Sequence, residues 1–145
     1  MVDSATISTS KDIKRNLMLA GQIIGDVYSA YTPLVAGSGG TAGTANVTAS
    51  GRFRTLGKLV FFQVDILWNN IGSYTGSTAF TLPVVAQANG TTQLGEIFAG
   101  RNTITGDMLQ AFCINGTTAQ LFTYNNIPQL AATHRYIING TYESL

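Results

Sequence analysis

Residues 59 to 68 alternate so that one set of side chains is wholly apolar and the other is mixed. The apolar set is Val60, Phe62, Val64, Ile66 and Trp68. The opposite set is Leu59, Phe61, Gln63, Asp65 and Leu67. A period of two is typical of a β-strand with one face on a core. The three apolar members of the second set predict that this face is covered as well.

Similar short stretches follow one another from Tyr31 to the C-terminus, separated by Gly, Asn and Pro. They are YTPLVAG, NVTASGRFRT, STAFTLPVVA, QLGEIFAG, MLQAFCI, AQLFTYN and RYIINGTYES. About eight strands with turn signals between them predict an all-β antiparallel sandwich or barrel rather than alternating βαβ units. The Gly-rich residues 37–45 are predicted to be a connection, and Leu56-Gly57-Lys58 a tight turn.

Residues 1–29 differ from the rest of the chain. Ile13, Leu17 and Ile24 recur at helical spacing, and Ser10 could cap a helix. Internal glycines weaken a helix, so the pattern fits a short amphipathic helix and an extended arm that orders on a partner equally well. The chain is therefore predicted to divide into an arm or helix at 1–29 and a β domain at 30–145.

Three Asn-Gly-Thr stretches begin at Asn89, Asn115 and Asn139. They fit glycosylation acceptors of a secreted protein, or turns in which Asn and Gly take positive φ. No signal peptide pattern precedes the β domain, which favours turns. Asn115-Gly116 predicts a type I′ hairpin, and Asn139-Gly140, inside a strand pattern, predicts a bulge.

The composition limits the classes of partner. Only 10% of the 145 residues are charged, and the formal net charge is +1. A surface of hydroxyls and amides suits contact with other chains or with sugars, whereas nucleic acid requires a basic field. No apolar run reaches the roughly 20 residues of a membrane span. We expect neither nucleic acid nor membrane as a partner.

Candidate catalytic chemistry is sparse. Asp65 and Glu96 could form a glycosidase pair if they met roughly 5 to 9.5 Å apart across a cleft, but the alternative is that they pair with Arg52, Arg54 or Lys58 or lie at a subunit contact. His134 lacks the Gly-x-Ser-x-Gly elbow of a hydrolase triad, and it is the only histidine. We predict no enzyme, no metal and no cofactor. The single cysteine, Cys113, sits in an apolar run and is predicted to be buried.

Three aromatic residues could contact a glycan. Trp68, Tyr74 and Tyr124 fall near predicted strand ends, and Trp68 and Tyr124 stand beside asparagines. Exposed aromatic rings next to amides bind sugars by stacking and hydrogen bonds. The alternative is that these rings belong to the core.

The β portion resembles a family of tailed-bacteriophage virion proteins. The motifs are Tyr31-Thr32-Pro33-Leu34, the Gly-rich loop at 37–43, the stretch from Val47 to Phe62 containing GRFRTLGK, Leu82-Pro83, and the closing INGTYE from Ile138 to Glu143. The resemblance implies a small jelly-roll β-sandwich that associates as a trimer, as at tail fibre tips, in receptor-binding proteins and in head-surface proteins. A Pro-Phe-Thr-Trp-like segment of the family is replaced here by residues 126–130.

The resemblance leads to two functional hypotheses. The first is a capsid decoration protein assembled in the bacterial host cytoplasm and located on the virion, with Ile13, Leu17 and Ile24 anchoring it to the major capsid protein or to a tail or portal component. The second is a tail fibre domain that recognises a host surface glycan. The arm of about 30 residues favours decoration over a projecting fibre. A homotrimer would bury Leu59, Phe61 and Leu67 between subunits, with Gln63 and Asp65 hydrogen-bonding across. The alternative is that a loop or the N-terminal segment of the same chain covers them.

Overall fold

The computed structural model describes residues 28–87 and 96–145. The regular secondary structure in these ranges consists entirely of β-strands. The nine strands are β1 (Ser29–Tyr31), β2 (Val35–Thr41), β3 (Asn46–Leu56), β4 (Leu59–Asn70), β5 (Ser73–Thr81), β6 (Ile97–Asn102), β7 (Met108–Cys113), β8 (Thr118–Thr123) and β9 (Arg135–Glu143). The predicted anchor residues Ile13, Leu17 and Ile24, and the turn at Asn89-Gly90, lie outside the described residues.

The strands form one antiparallel sheet in the order β1-β3-β4-β9-β6-β7-β8-β5-β2. The sheet curls until β4 faces β5, and the ring centroids of Phe62 and Phe80 are 6.5 Å apart across the interior. We call β1, β3, β4, β9 and β6 the first layer, and β7, β8, β5 and β2 the second layer. This architecture confirms the predicted all-β, jelly-roll-like antiparallel sandwich, with nine strands in the described residues rather than about eight.

The core lies between the two layers. Along β4 the alternation predicted from the sequence is confirmed, because Val60, Phe62, Val64, Ile66 and Trp68 are all at most 3% exposed. Inward-facing residues of the other strands complete this cluster. Cys113 is also fully buried, as predicted. Each such Leu, Val, Ile or Phe side chain stabilises the fold by roughly 1.5–3 kcal/mol.

The Gly-rich segment is a strand over much of its length, so its assignment as a connection is wrong there. Val35–Thr41 pairs with β5, with a register shift between Gly37 and Gly39. A Cβ atom on Gly37 would lie 2.6 Å from Cβ of Tyr74. Glycine is needed here because the neighbouring side chain occupies the space. The predicted tight turn at Gly57 is confirmed, with φ at 60°.

The two Asn-Gly pairs within the described residues behave differently. Between β7 and β8 the hairpin is confirmed, but its type I′ geometry is wrong, since Gly116 has positive φ and Asn115 does not. Asn115 instead accepts the backbone N–H of Thr118 at 2.8 Å through its side-chain oxygen. The bulge at Asn139-Gly140 is also wrong, because the pairing of β9 with β4 runs through both residues without a shift.

Candidate assembly surface

The first-layer outer face comprises the side chains of β3, β4, β9 and β6 that point away from the core. The register sets Arg54 opposite Phe61 and Arg52 opposite Gln63. The predicted trimer residues Phe61, Gln63, Asp65 and Leu67 are half-buried there, and Leu59 is 45% exposed. The described residues therefore cover this face only in part.

Two arginines of β3 supply that partial cover. The guanidinium carbon of Arg54 lies 5.0 Å from the ring centroid of Phe61. Arg52 donates from Nε to the side-chain oxygen of Gln63 at 2.9 Å. Both guanidinium groups also lie over the ring of Tyr28, at 5.1 and 5.4 Å. Stacked cations of this kind interact favourably with an aromatic ring, so Phe61 has contacts within its own subunit.

Asp65 forms an ion pair with Arg135 of β9. Arg135 donates from Nε to both carboxylate oxygens, at 2.9 and 3.2 Å, and its Nη2 also contacts Oδ2. The hydrogen bonds and the negative charge of Asp65 raise the pKa of the Arg135 guanidinium. The expected ion pair of Asp65 with Arg52, Arg54 or Lys58 is wrong, because its partner is Arg135, and the alternative of a subunit contact stays a prediction. The two residues are diagonal neighbours on adjacent strands, which brings their side chains within reach.

The second candidate carboxylate, Glu96, lies far from Asp65. Burial raises the pKa of the Glu96 carboxyl, and the backbone N–H and the charge of Glu143 act on it in opposite directions. Glu143 pairs with Leu59 at one end of β4. Asp65 is six residues further along β4, which corresponds to roughly 20 Å at about 3.3 Å per residue. A glycosidase pair requires roughly 5 to 9.5 Å. Asp65 and Glu96 therefore do not form such a pair.

The candidate glycan residues occupy three different environments. Trp68 is fully buried, so its assignment to a glycan contact is wrong; strand alternation turns it inward, where its N–H donates to Thr78. Tyr74 is half-buried with its ring edge-on to Trp68 at 5.8 Å. Tyr124 is 73% exposed in the loop after β8. Of the three, Tyr124 is the most exposed.

His134 has a structural contact in the loop before β9. The buried side chain of Asn102 donates from Nδ2 to Nδ1 of His134 at 2.8 Å. The same amide accepts the backbone N–H of Ile104 at 3.0 Å. Within 28–87 and 96–145, no three His, Cys, Asp or Glu side chains are grouped as a metal site would require.

The second-layer outer face comprises the side chains of β2, β5, β7 and β8 that point away from the core. The alternation within each strand does not predict this surface. On β7 and β8 it carries Phe112 and Phe122, both half-buried, with ring centroids 5.6 Å apart. Exposed Ile97 of β6 continues this apolar surface, because it pairs with Phe112. The sequence does contain a signal, since residues 108–133 include no charged side chain.

Comparisons with known proteins give no relative for this chain. A scan against protein-family models, a search of the curated proteins and a search of the solved structures each found no match. In the part of the chain that the structure describes, no helix has the length and apolar character to cross a bilayer.

Proposed function

We propose that this protein is a structural component of a bacteriophage virion. In this proposal it is a capsid decoration or head-surface protein that assembles as a homotrimer and attaches to another virion protein through residues 1–29. Two features support the proposal. The motifs from Tyr31 to Glu143 resemble virion proteins, and the fold is the jelly-roll-like sandwich that such a protein would have.

The observation that carries the proposal is the imbalance between exposed apolar and charged residues. Among the described residues, nine in all are charged. Eleven large hydrophobic side chains are exposed in the same ranges. Typical soluble globular domains have about 25% charged residues. Surfaces that are poor in charge and rich in large apolar side chains are typical of contacts with other chains. This surface supports a subunit that functions in an assembly.

The position of Tyr28 supports an attachment through the N-terminal segment. Its ring lies against Arg52 and Arg54 on the first-layer outer face. The chain therefore enters the sandwich at this face. A segment that binds a capsid or tail protein would start beside charged side chains able to contact the same partner. We place the particle on this side of the subunit.

Attachment is tested with the full chain on phage particles that lack the protein. Ile13→Glu combined with Leu17→Glu should reduce binding to the particles at least tenfold, because the substitutions remove the apolar side chains assigned to the anchor. The matched control is Ser4→Glu combined with Thr6→Glu, which adds the same charge to the polar first ten residues and should leave binding unchanged. Undiminished binding of the anchor variant would contradict the anchor. Absence of the protein from purified virions by mass spectrometry would refute the virion role itself.

The exposed loop after β8 supports a second function, recognition of a host surface glycan by a tail fibre domain. Tyr124 is 73% exposed and is followed by Asn125 and Asn126, which supply amide donors and acceptors. A glycan array with the purified protein should then give specific hits that Tyr124→Ala abolishes. An array without hits, together with no inhibition of phage adsorption by the free protein, would contradict this function.

A further inference from the structure

The charged residues of the described chain are concentrated in the first layer of the sandwich. They are Arg52, Arg54, Lys58, Asp65, Glu96, Arg101, Asp107, Arg135 and Glu143. All except Asp107 lie on first-layer strands or directly adjoin them, and Asp107 ends the connection between β6 and β7. The four strands of the second layer, β2, β5, β7 and β8, contain none. The fold thus separates a charged layer from an uncharged one.

Register places a continuous row of uncharged side chains across the second-layer outer face. Ala36 pairs with Ala79, Ala79 with Gln120, and Gln120 with Phe112. Ile97, 62% exposed, extends the row on the adjoining strand. These side chains are small or apolar, apart from one amide. Two sheets carrying such side chains can approach closely.

A shallow depression lies at the β7–β8 end of this face. It is lined by Phe112, Ile114, Gln120, Phe122 and Asn126. Gln110 donates to the side-chain oxygen of Asn126 at 2.8 Å and to the carbonyl of Thr123 at 3.1 Å. These bonds hold the loop after β8 at the border of the depression. The apolar floor is therefore shaped before any partner binds.

We infer that the second-layer outer face is the contact between copies of this chain. An uncharged apolar face requires an uncharged partner, because a charge buried against it without a counter-ion is costly. Among the described residues, the first-layer outer face carries charges on all four of its main strands and does not match. The second-layer outer face of another copy does match. Gln120 also suits self-association, since an amide both donates and accepts hydrogen bonds.

This inference deepens the proposed function and rests on it for the assembly in which the contact would serve. In a trimer, the three copies would turn their second layers toward the threefold axis. The first-layer outer face, with Arg52, Arg54 and Tyr28, then remains free for the particle. The hypothesis drawn from the sequence places Phe61 and its neighbours between subunits. The two hypotheses therefore predict opposite effects on assembly when either face is substituted.

The test adds negative charge to each outer face of the full-length protein. Ala36→Glu combined with Gln120→Glu adds two charges to the second-layer outer face. Gln63→Glu is the control, since it repeats the glutamine-to-glutamate exchange beside Arg52 on the first-layer outer face. Sedimentation velocity should show an oligomer for the wild type and for Gln63→Glu. The double variant should dissociate to single subunits, with the dissociation constant raised at least tenfold and the β-sheet circular dichroism unchanged.

A wild-type measurement keeps the inference testable if the double variant fails to fold. Hydroxyl-radical footprinting at high and low protein concentration should show Phe112 and Phe122 protected in the oligomer and Phe61 unchanged. Protection of Phe61 alone, an oligomer that survives the double substitution, or a wild type that is a single subunit at high concentration would each overturn the inference. An oligomer that uses this face in a protein absent from purified virions would refute the virion role and leave the contact standing.

Discussion

Trp68 donates its indole N–H to the hydroxyl oxygen of Thr78 over 3.0 Å, and both side chains are fully buried. Trp68 belongs to β4 in the first layer and Thr78 to β5 in the second. The hydrogen bond is therefore a polar link between the two layers inside an apolar core. A buried indole N–H requires such a partner, since an unsatisfied donor in the core is costly.

Thr78→Val should destabilise the fold by about 1–3 kcal/mol, because it leaves the Trp68 N–H buried without an acceptor. Thr78→Ser keeps the hydroxyl and is the matched control. Urea denaturation followed by tryptophan fluorescence measures the free energy of unfolding of each variant. Equal losses for Val and Ser would show that the hydrogen bond contributes nothing and that packing alone matters.

Gly140→Ala should also destabilise the fold, by about 1–3 kcal/mol, as overpacked core sites do. A Cβ atom at this position would collide with the ring of Phe98 and lie 3.1 Å from the ring of Phe62. A double-mutant cycle with Phe98→Ala provides the control, because alanine lacks the Cγ and Cδ1 atoms that the new Cβ would meet. Urea denaturation should show that the double variant loses less than the sum of the single losses. Strict additivity would contradict the steric explanation.

Cys113 should be inert in the folded protein. Burial raises the pKa of its thiol, and the reactive thiolate is therefore scarce as well as inaccessible. A thiol reagent at neutral pH should give no absorbance change with the native protein and one equivalent of reaction in urea. Cys113→Ala should give none under either condition. Rapid reaction of the native protein would mean that the strand end at β7 opens readily.

Glu96→Gln should raise the melting temperature at pH 7. Burial, followed by the nearby negative charge of Glu143, raises the pKa of the Glu96 carboxyl above its ordinary value of 4.5. The folded state therefore binds this proton more tightly than the unfolded state. Its stabilising effect is complete below the ordinary pKa and is lost as pH rises through the folded-state pKa.

Glutamine resembles the protonated acid, so the gain from Glu96→Gln should be present at pH 7 and absent at about pH 4. Differential scanning calorimetry at both pH values measures the difference. The same gain at pH 4 and pH 7 would contradict a proton-linked cause and would point to packing instead.

Local patterns in the sequence predict much of the fold. The alternation from Val60 to Trp68 identifies the buried face of β4, and Gly57 identifies the turn before it. These features depend on neighbouring residues, because side-chain direction in a strand has a period of two and a tight turn has its own φ requirement. The assignment of Cys113 to the core succeeds for the same reason.

Contacts between strands that are distant along the chain cannot be predicted from such local patterns. The pairing of Asp65 with Arg135 joins residues 70 positions apart, and the room that Gly37 makes for Tyr74 depends on β2 reaching β5. The asparagines after Trp68 indicate a ligand site, but the opposite layer decides what covers its ring.

The residue pattern alone indicates the all-β class, the inward set of β4 and the low charge of the chain. Strand pairing brings the uncharged runs together, because β2, β5, β7 and β8 are neighbours in the sheet and not along the chain. One uncharged run forms a single strand, and it becomes part of a surface when the fold places it beside another. The sheet order turns several such runs into one face.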